Sequence, residues 1–283
     1  MPYFKTSRYM DMLRELGSEQ LPLLRHIWWI DSEGDAPDER GAQRFSELLA
    51  SGDAQDRHVD AIQATLRPTD PINVQFTSGT TGFPKGATLT HRNILNNGFF
   101  IGECMKLSPE DKLCIPVLLY HCFGMVLGNL ASLTHGCTIV YPNDAFDALS
   151  VLEAVQAERC TALHGVPTMF IAELNHPRFP EFDLSSLRTG IMAGTACPIE
   201  VMRRVVDEMH MREVTIAYGM TETSPVSCQS TSDTSLERRV TTVGQVQPHL
   251  EIRIVDPDTG AMVARGQPGE FCTRGYSVMQ GRA

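Results

Sequence analysis

Hydrophobic positions along this chain follow two rhythms, and the switches between them mark its elements. "INVQFTSG" (72–79) reads as a short buried strand running into a glycine-bearing loop. "THRNILNNGFFIGECM" (90–105) reads as a helix, with Thr90 placed to cap its first turn. Three strand–helix units follow. "CTIVY" leads to "DALSVLEAVQAE", whose Leu149, Leu152 and Val155 share a face. "TALHG" leads to "PTMFIAEL", with Pro167 at the first turn, where proline is tolerated. "RTGIMAG" leads to "PIEVMRRVVDEMH", with Ile199, Met202, Val206 and Met209 on its buried face. "VTIAYG" is one more strand. This alternation predicts an α/β fold, a mainly parallel sheet covered by helices on both faces. After it, "LEIRIVD" and "GEFCTRG" flank the turn "DPDTG" with period-two patterning, which predicts a smaller antiparallel β subdomain.

The boundaries follow from these changes of pattern. Residues 1–67 are expected to be a partial N-terminal segment packing on the core. It holds an amphipathic stretch, "SRYMDMLREL", with Tyr9, Met12 and Leu13 set against Leu16. An acidic, turn-rich surface loop, "DSEGDAPDERGAQ", and a short helix, "FSELLASG", follow. Residues 68–240 form the α/β subdomain, and 241–283 a truncated β subdomain. Residues 113–143 carry no Asp, Glu, Lys or Arg, long enough in principle for a membrane span. Pro116, His121, Asn129, His135 and several glycines interrupt the stretch, so it reads as a loop, a buried helix and a buried strand.

Composition narrows the partners. The chain has 283 residues, 42% hydrophobic and 20% charged, with a formal net charge of -10. Nucleic-acid binding needs clustered cations to neutralise phosphates, and only short pairs such as Arg203-Arg204 occur, so neither nucleic acid nor an anionic membrane is an expected partner. Eight cysteines are scattered without CxxC spacing, which supports no zinc site. With no apolar leader at the N-terminus, they read as reduced thiols of a cytoplasmic protein.

Three stretches rich in glycine and hydroxyls fall where strands end: "TSGTTGFPKG", "AGTACP" and "YGMTET". Parallel sheets bind ligands at the carboxyl ends of their strands, so the three are expected to converge. The first is not a Walker loop, because Gly86, not Ser or Thr, follows Lys85. It still has the chemistry of a phosphate cradle. Gly79 and Gly82 free the backbone amides to converge on an anion. Thr77, Ser78, Thr80 and Thr81 add hydroxyl donors, Lys85 adds a point charge, and Pro84 stiffens the return.

"FTSGTTGFPKGATLTH" resembles the signature of the adenylate-forming (AMP-binding) superfamily, which includes acyl-CoA synthetases, luciferases and nonribosomal peptide adenylation domains. "YGMTETSP" and "GEFCTRGYSVMQG" resemble two further motifs of that family, in the family's order. "IMAGTACPIEVMRRV", "TSPVSCQS" and "ERRVTTVGQVQPHLEIRIVDP" are similar to the fatty-acyl-CoA synthetase branch, especially its medium-chain group. The resemblance implies a two-step reaction. A carboxylate attacks the α-phosphate of ATP, giving acyl-adenylate and pyrophosphate. The thiol of coenzyme A then attacks the acyl carbon and releases AMP. Preorganised donors and Mg²⁺ offset the repulsion of the two anions.

By the same resemblance, residues Thr77 to Lys85 would cradle the β- and γ-phosphates, and Glu222 would hold Mg²⁺. Thr221 would bond the α-phosphate, within a turn that includes Gly219 and Met220. Tyr218 would pack on adenine, with Gly194, Thr195 and Ala196 on its other side. His121, in "LLYHCFGM", would stand beside the acyl carboxylate and α-phosphate. Phe123, Gly124, Met169 and Ala193 are candidates for the acyl pocket. No carboxylate in "LLYHCFGM" or "GIMAGTACP" is available to pair an amine, which favours an apolar acid, such as a fatty acid, over an amino acid. The resemblance also implies a core fragment without the family's N-terminal subdomain or its C-terminal domain with a catalytic lysine. Arg282 and Ala283 stand where the family continues with an aromatic residue. Such a fragment is expected to turn over little alone and to self-associate through exposed apolar surface. Two other readings stay open: an adenylating enzyme for an aryl or amino acid, and a non-catalytic nucleotide-binding remnant.

Overall fold

A computed structural model describes residues 3–4, 7–17, 19–30, 42–53, 56–77 and 84–283. Ser78, Gly79, Thr80, Thr81 and Gly82 of the predicted cradle, and nearly all of the acidic loop, lie outside the described residues. The chain divides into two units, Met1–Leu66 and Arg67–Ala283. The first has helices at Tyr9–Leu16, Phe45–Ser51 and Arg57–Gln63, the last capped by Asp56, whose carboxylate accepts from the His58 N–H at 2.9 Å. In Tyr9–Leu16 the buried residue is Met10; Tyr9, Met12 and Leu16, expected to pack together, are exposed.

The second unit begins with a hairpin, β1 (Pro71–Thr77) and β2 (Lys85–Thr90), followed by α1 (His91–Met105). Thr90 caps α1: its hydroxyl accepts from the Asn93 N–H at 3.2 Å, and the Asn93 side chain accepts from the Thr90 N–H at 2.8 Å. The central sheet and its helices follow: β3 (Lys112–Cys114), β4 (Thr138–Val140), α2 (Ala148–Glu158), β5 (Ala162–Gly165), α3 (Pro167–Leu174), β6 (Thr189–Ala193), α4 (Ile199–Glu208), β7 (Glu213–Gly219), β8 (Val226–Gln229) and β9 (Gln245–Val246). The spatial order is β9-β8-β7-β6-β5-β3-β4. Neighbours from β4 to β7 are parallel, and β8 and β9 are antiparallel.

Alternation along the strands divides the core. Leu113, Ala162, Ile191 and Ala193 face one cluster, with Ile94, Ile101 and Met105 of α1. Cys114, Leu163 and Met192 face the other, with residues of α2, α3 and α4. Helices thus cover both faces, and side chains such as Leu152, Phe170 and Met202 are fully buried, each contributing about 1.5–3 kcal/mol. A separate pair, β10 (Leu250–Val255) and β11 (Glu270–Gly275), forms the small antiparallel sheet. Among the described residues no helix is long and apolar enough to cross a membrane; the uncharged stretch forms a π-helix, Phe123–Leu130, continuing into Ala131–His135.

Three sequence expectations change. β1 is not a strand of the parallel sheet but pairs antiparallel with β2, which in turn pairs with β12 (Gly281–Arg282). Its apolar residues are exposed: Ile72 by 50%, Val74 by 44% and Phe76 by 65%. β1 and β2, on either side of the glycine-rich stretch in sequence, therefore belong to a separate sheet, and only "AGTACP" and "YGMTET" follow strands of the main sheet. On α4, Val205 is buried, not Val206, and Ile199 is exposed, because the sheet contacts a face turned by one position. On α2 the buried set is Val151, Leu152 and Val155, with Leu149 half-buried.

Candidate active site

Adjacent parallel strands β6 and β7 end side by side, Ala193 opposite Ala217. The chain leaves each through a glycine. Gly194 has φ 93°, a left-handed conformation that side chains resist. A Cβ on Gly219 would meet the Pro225 carbonyl at 1.7 Å, so the return of the chain requires glycine. Two cavities of about 480 Å³ each open at this point and share Gly194, Ala217 and Gly219 on their walls. Small residues where the cavities meet leave room for a ligand to lie in both.

The first cavity is bordered by Gly194, Thr195, Ala196 and Tyr218, as the sequence suggested, and by Thr241, Thr242 and Val243, which it did not. Tyr218 is partly exposed, and its ring meets Phe271 edge-on at 5.1 Å. That leaves a flat aromatic surface for a ligand ring. The second cavity collects Thr77, His121, Phe123, Ala193, Met220, Thr221 and Glu222, together with Gln75, Leu127 and Val226. Phe123 and Leu127 are one turn apart on the π-helix and supply its apolar wall. Lys85 is half-buried opposite Thr77 in the hairpin, whose hydroxyl donates to the Lys85 carbonyl at 3.3 Å. Lys85 and Pro84 do not border either cavity as described. Gly124 is buried beside the Leu118 carbonyl, and Met169 packs against the core, both away from the cavity walls.

His121 carries a definite proton arrangement. Its Nδ1 accepts from the Phe123 N–H at 3.0 Å, so in the neutral ring the proton sits on Nε2. Partial burial lowers its pKa below the ordinary histidine value. A neutral imidazole that donates from Nε2 can stabilise charge growing on a neighbouring oxygen. Next to it, burial pushes the Cys122 thiol up to about 11, and the thiol lies within hydrogen-bond reach of Thr221. It stays protonated at neutral pH and is no nucleophile.

The turn bearing Thr221 and Glu222 is held from behind. Asn97 of α1 grips Val226 twice: its amide donates to the Val226 carbonyl at 2.8 Å, and its carbonyl accepts from the Val226 N–H at 2.9 Å. Asn93, one turn earlier, donates to the carbonyls of Tyr276 and, at 3.2 Å, Val278. The Met279 N–H donates to the Glu222 carbonyl at 2.9 Å. These supports escaped the sequence reading. Their signal was two asparagines four positions apart in "NILNN", on the side of the helix that packs inward.

Comparison with known proteins identifies the family. A family model described as AMP-binding enzyme matches residues 18–281. The protein YngI of Bacillus subtilis (strain 168) is 48% identical over 274 residues, which cover 94% of this chain and 48% of YngI. The mitochondrial medium-chain acyl-CoA ligase ACSF2 of Danio rerio is 41% identical over 291 residues, covering 98% of this chain and 47% of that protein. The chain thus spans about half the length of these relatives. The crystal structure of ATP-bound MatB from Rhodopseudomonas palustris is similar, with a TM-score of 0.67 and 27% identity over 77% of this chain and 42% of MatB. A paired-cavity site at the ends of β6 and β7, with the family's model running almost end to end, places this chain in the AMP-binding enzyme family.

Proposed function

We propose that the paired cavities hold the two substrates of an acid-activating reaction. ATP would place its base between Tyr218 and the loop Gly194–Ala196. Its phosphates would lie toward Thr221 and the hairpin bearing residues Thr77 to Lys85. A carboxylic acid would lie against Phe123, Leu127 and Ala193. The observation that carries this reading is the shared wall of Gly194, Ala217 and Gly219, with His121, Thr221 and Glu222 on the second cavity. His121 Nε2–H would steady the carboxylate oxygen as it attacks the α-phosphorus, and Lys85 would neutralise departing pyrophosphate. Coenzyme A would then take the acyl group as a thioester, which makes the whole protein an AMP-forming acyl-CoA ligase. Among the described residues bordering the second cavity, Glu222 is the only carboxylate. That lining supports an apolar acid of the fatty type over an amino acid, whose ammonium would need a partner.

The donor set fits Mg²⁺. Glu222 offers one hard oxygen ligand, and Mg²⁺ is usually held by one or two carboxylates with phosphate oxygens and water. Among the described residues no group of three or more His, Cys, Asp or Glu gathers as a metal cage, consistent with an ion carried mainly by the nucleotide. Bound there, the ion would supply charge neutralisation on the phosphates.

Calorimetry tests this. The chain is expected to bind ATP with Mg²⁺, and Lys85→Ala and Glu222→Ala are each expected to weaken binding about tenfold, ~1.4 kcal/mol. An apolar acyl sulfamoyl-adenosine should bind more tightly than an aminoacyl one. A wild type that takes up no nucleotide would sink the reading.

A further inference from the structure

The three-stranded sheet of β1, β2 and β12 has one face with unusual chemistry. In antiparallel strands, directly opposed residues project to the same side, as do residues two apart in one strand. Thr77 opposes Lys85, and both Gln75 and Arg282 are aligned with Ala87. Gln75, Thr77, Lys85 and Arg282 therefore share a face. Gln75, Phe76 and Thr77 all border the second cavity, so the end of β1 runs along it. Arg282 reaches across to Glu222, Nη2 to Oε1 at 3.8 Å, with Glu222 22% and Arg282 53% exposed. Backbone bonds fix its position: the Gln280 N–H donates to the Thr88 carbonyl at 2.9 Å, and the Ala283 N–H to the Gly86 carbonyl at 2.8 Å.

We propose that Arg282 is a second phosphate-side cation, which pairs with Glu222 in the ligand-free site and turns to the nucleotide phosphates when they arrive. This rests on the nucleotide reading above. The guanidinium can meet phosphate oxygens with two parallel bonds. A pair at 3.8 Å with its arginine half exposed is loose, so exchanging carboxylate for phosphate costs little. Without Arg282, Glu222 would face incoming phosphates as a bare negative charge unless a metal covered it. Arg282 therefore matters most when metal is scarce.

The test is ATP binding to the 283-residue chain, by calorimetry in EDTA and again in saturating Mg²⁺, for wild type, Arg282→Gln and Arg282→Lys. Arg282→Gln is expected to weaken metal-free binding about tenfold and Mg²⁺-supported binding by less than about threefold. Arg282→Lys, which keeps the charge but not the fork, should fall between. Thermal melts of both variants check that the fold is kept. Equal metal-free affinity of wild type and Arg282→Gln overturns the proposal, as does a wild type that binds ATP only with Mg²⁺. A wild type that binds ATP in neither condition removes the nucleotide reading itself.

Discussion

His164 shows how much a single side chain can depend on distant partners. It is fully buried; its Nε2–H donates to the Leu127 carbonyl at 2.9 Å and its Nδ1 accepts from the Ile191 N–H at 3.1 Å. It joins the π-helix that walls the second cavity to the strand that ends there. Burial lowers its pKa from 6.5 to about 4. Between those values the unfolded chain binds the proton and the folded chain does not. The contribution of His164 is therefore complete above about pH 6.5 and is lost as pH falls through about 4, up to about 3 kcal/mol. Urea unfolding from pH 4 to pH 7 should show this slope, and His164→Ala should flatten it while lowering stability by about 3–4 kcal/mol. Residue type marked Thr77 and Lys85, because hydroxyls and a cation announce a phosphate cradle, whereas Tyr218 and Glu222 were marked by the family resemblance of "YGMTETSP". His164 passed as one residue of "TALHG", since its partners lie on two other elements.

At the scale of elements, α3 carries an internal conflict. Glu173 sits on it fully buried, with no hydrogen-bond partner among the described residues for either carboxylate oxygen, and burial raises its pKa well above the carboxylate range. Here the fold prefers the protonated form. Its penalty is smallest below the unfolded value of 4.5 and grows as pH rises toward the folded pKa. Glu173→Leu is expected to raise stability by about 2 kcal/mol at pH 8, and by less near pH 5, read from denaturant midpoints at both values. The sequence made strands and helices legible wherever apolar spacing was regular, as in "TALHG" or "PIEVMRRVVDEMH". It could not show which way α4 would roll on the sheet, so Val206 was favoured over Val205. Nor did it reveal β2, because "KGATLT" is polar and small, and its strand character comes from pairing on both sides.

At the scale of the whole molecule, an apolar edge is uncovered among the described residues. Ile72 and Val74 project from β1 on the side away from Gln75 and Thr77, and β1 has β2 as its only neighbour among the described strands. Exposed apolar edge strands tend to pair with other chains. Light scattering across a concentration series is expected to show self-association, reduced in Ile72→Lys and Val74→Lys; a monodisperse monomer at all concentrations would contradict this. The order of strands and helices in the α/β body could be read along the chain, because each element has its own rhythm. The site could be read only in parts, because its three stretches come from two different sheets. The pairing of β12 with β2 also has a consequence for biosynthesis. The hairpin can close on local contacts alone as it leaves the ribosome, but its third strand follows the whole α/β body in sequence. A nascent chain would therefore carry the hairpin and the body of the main sheet while Lys85 still lacked Arg282 beside it.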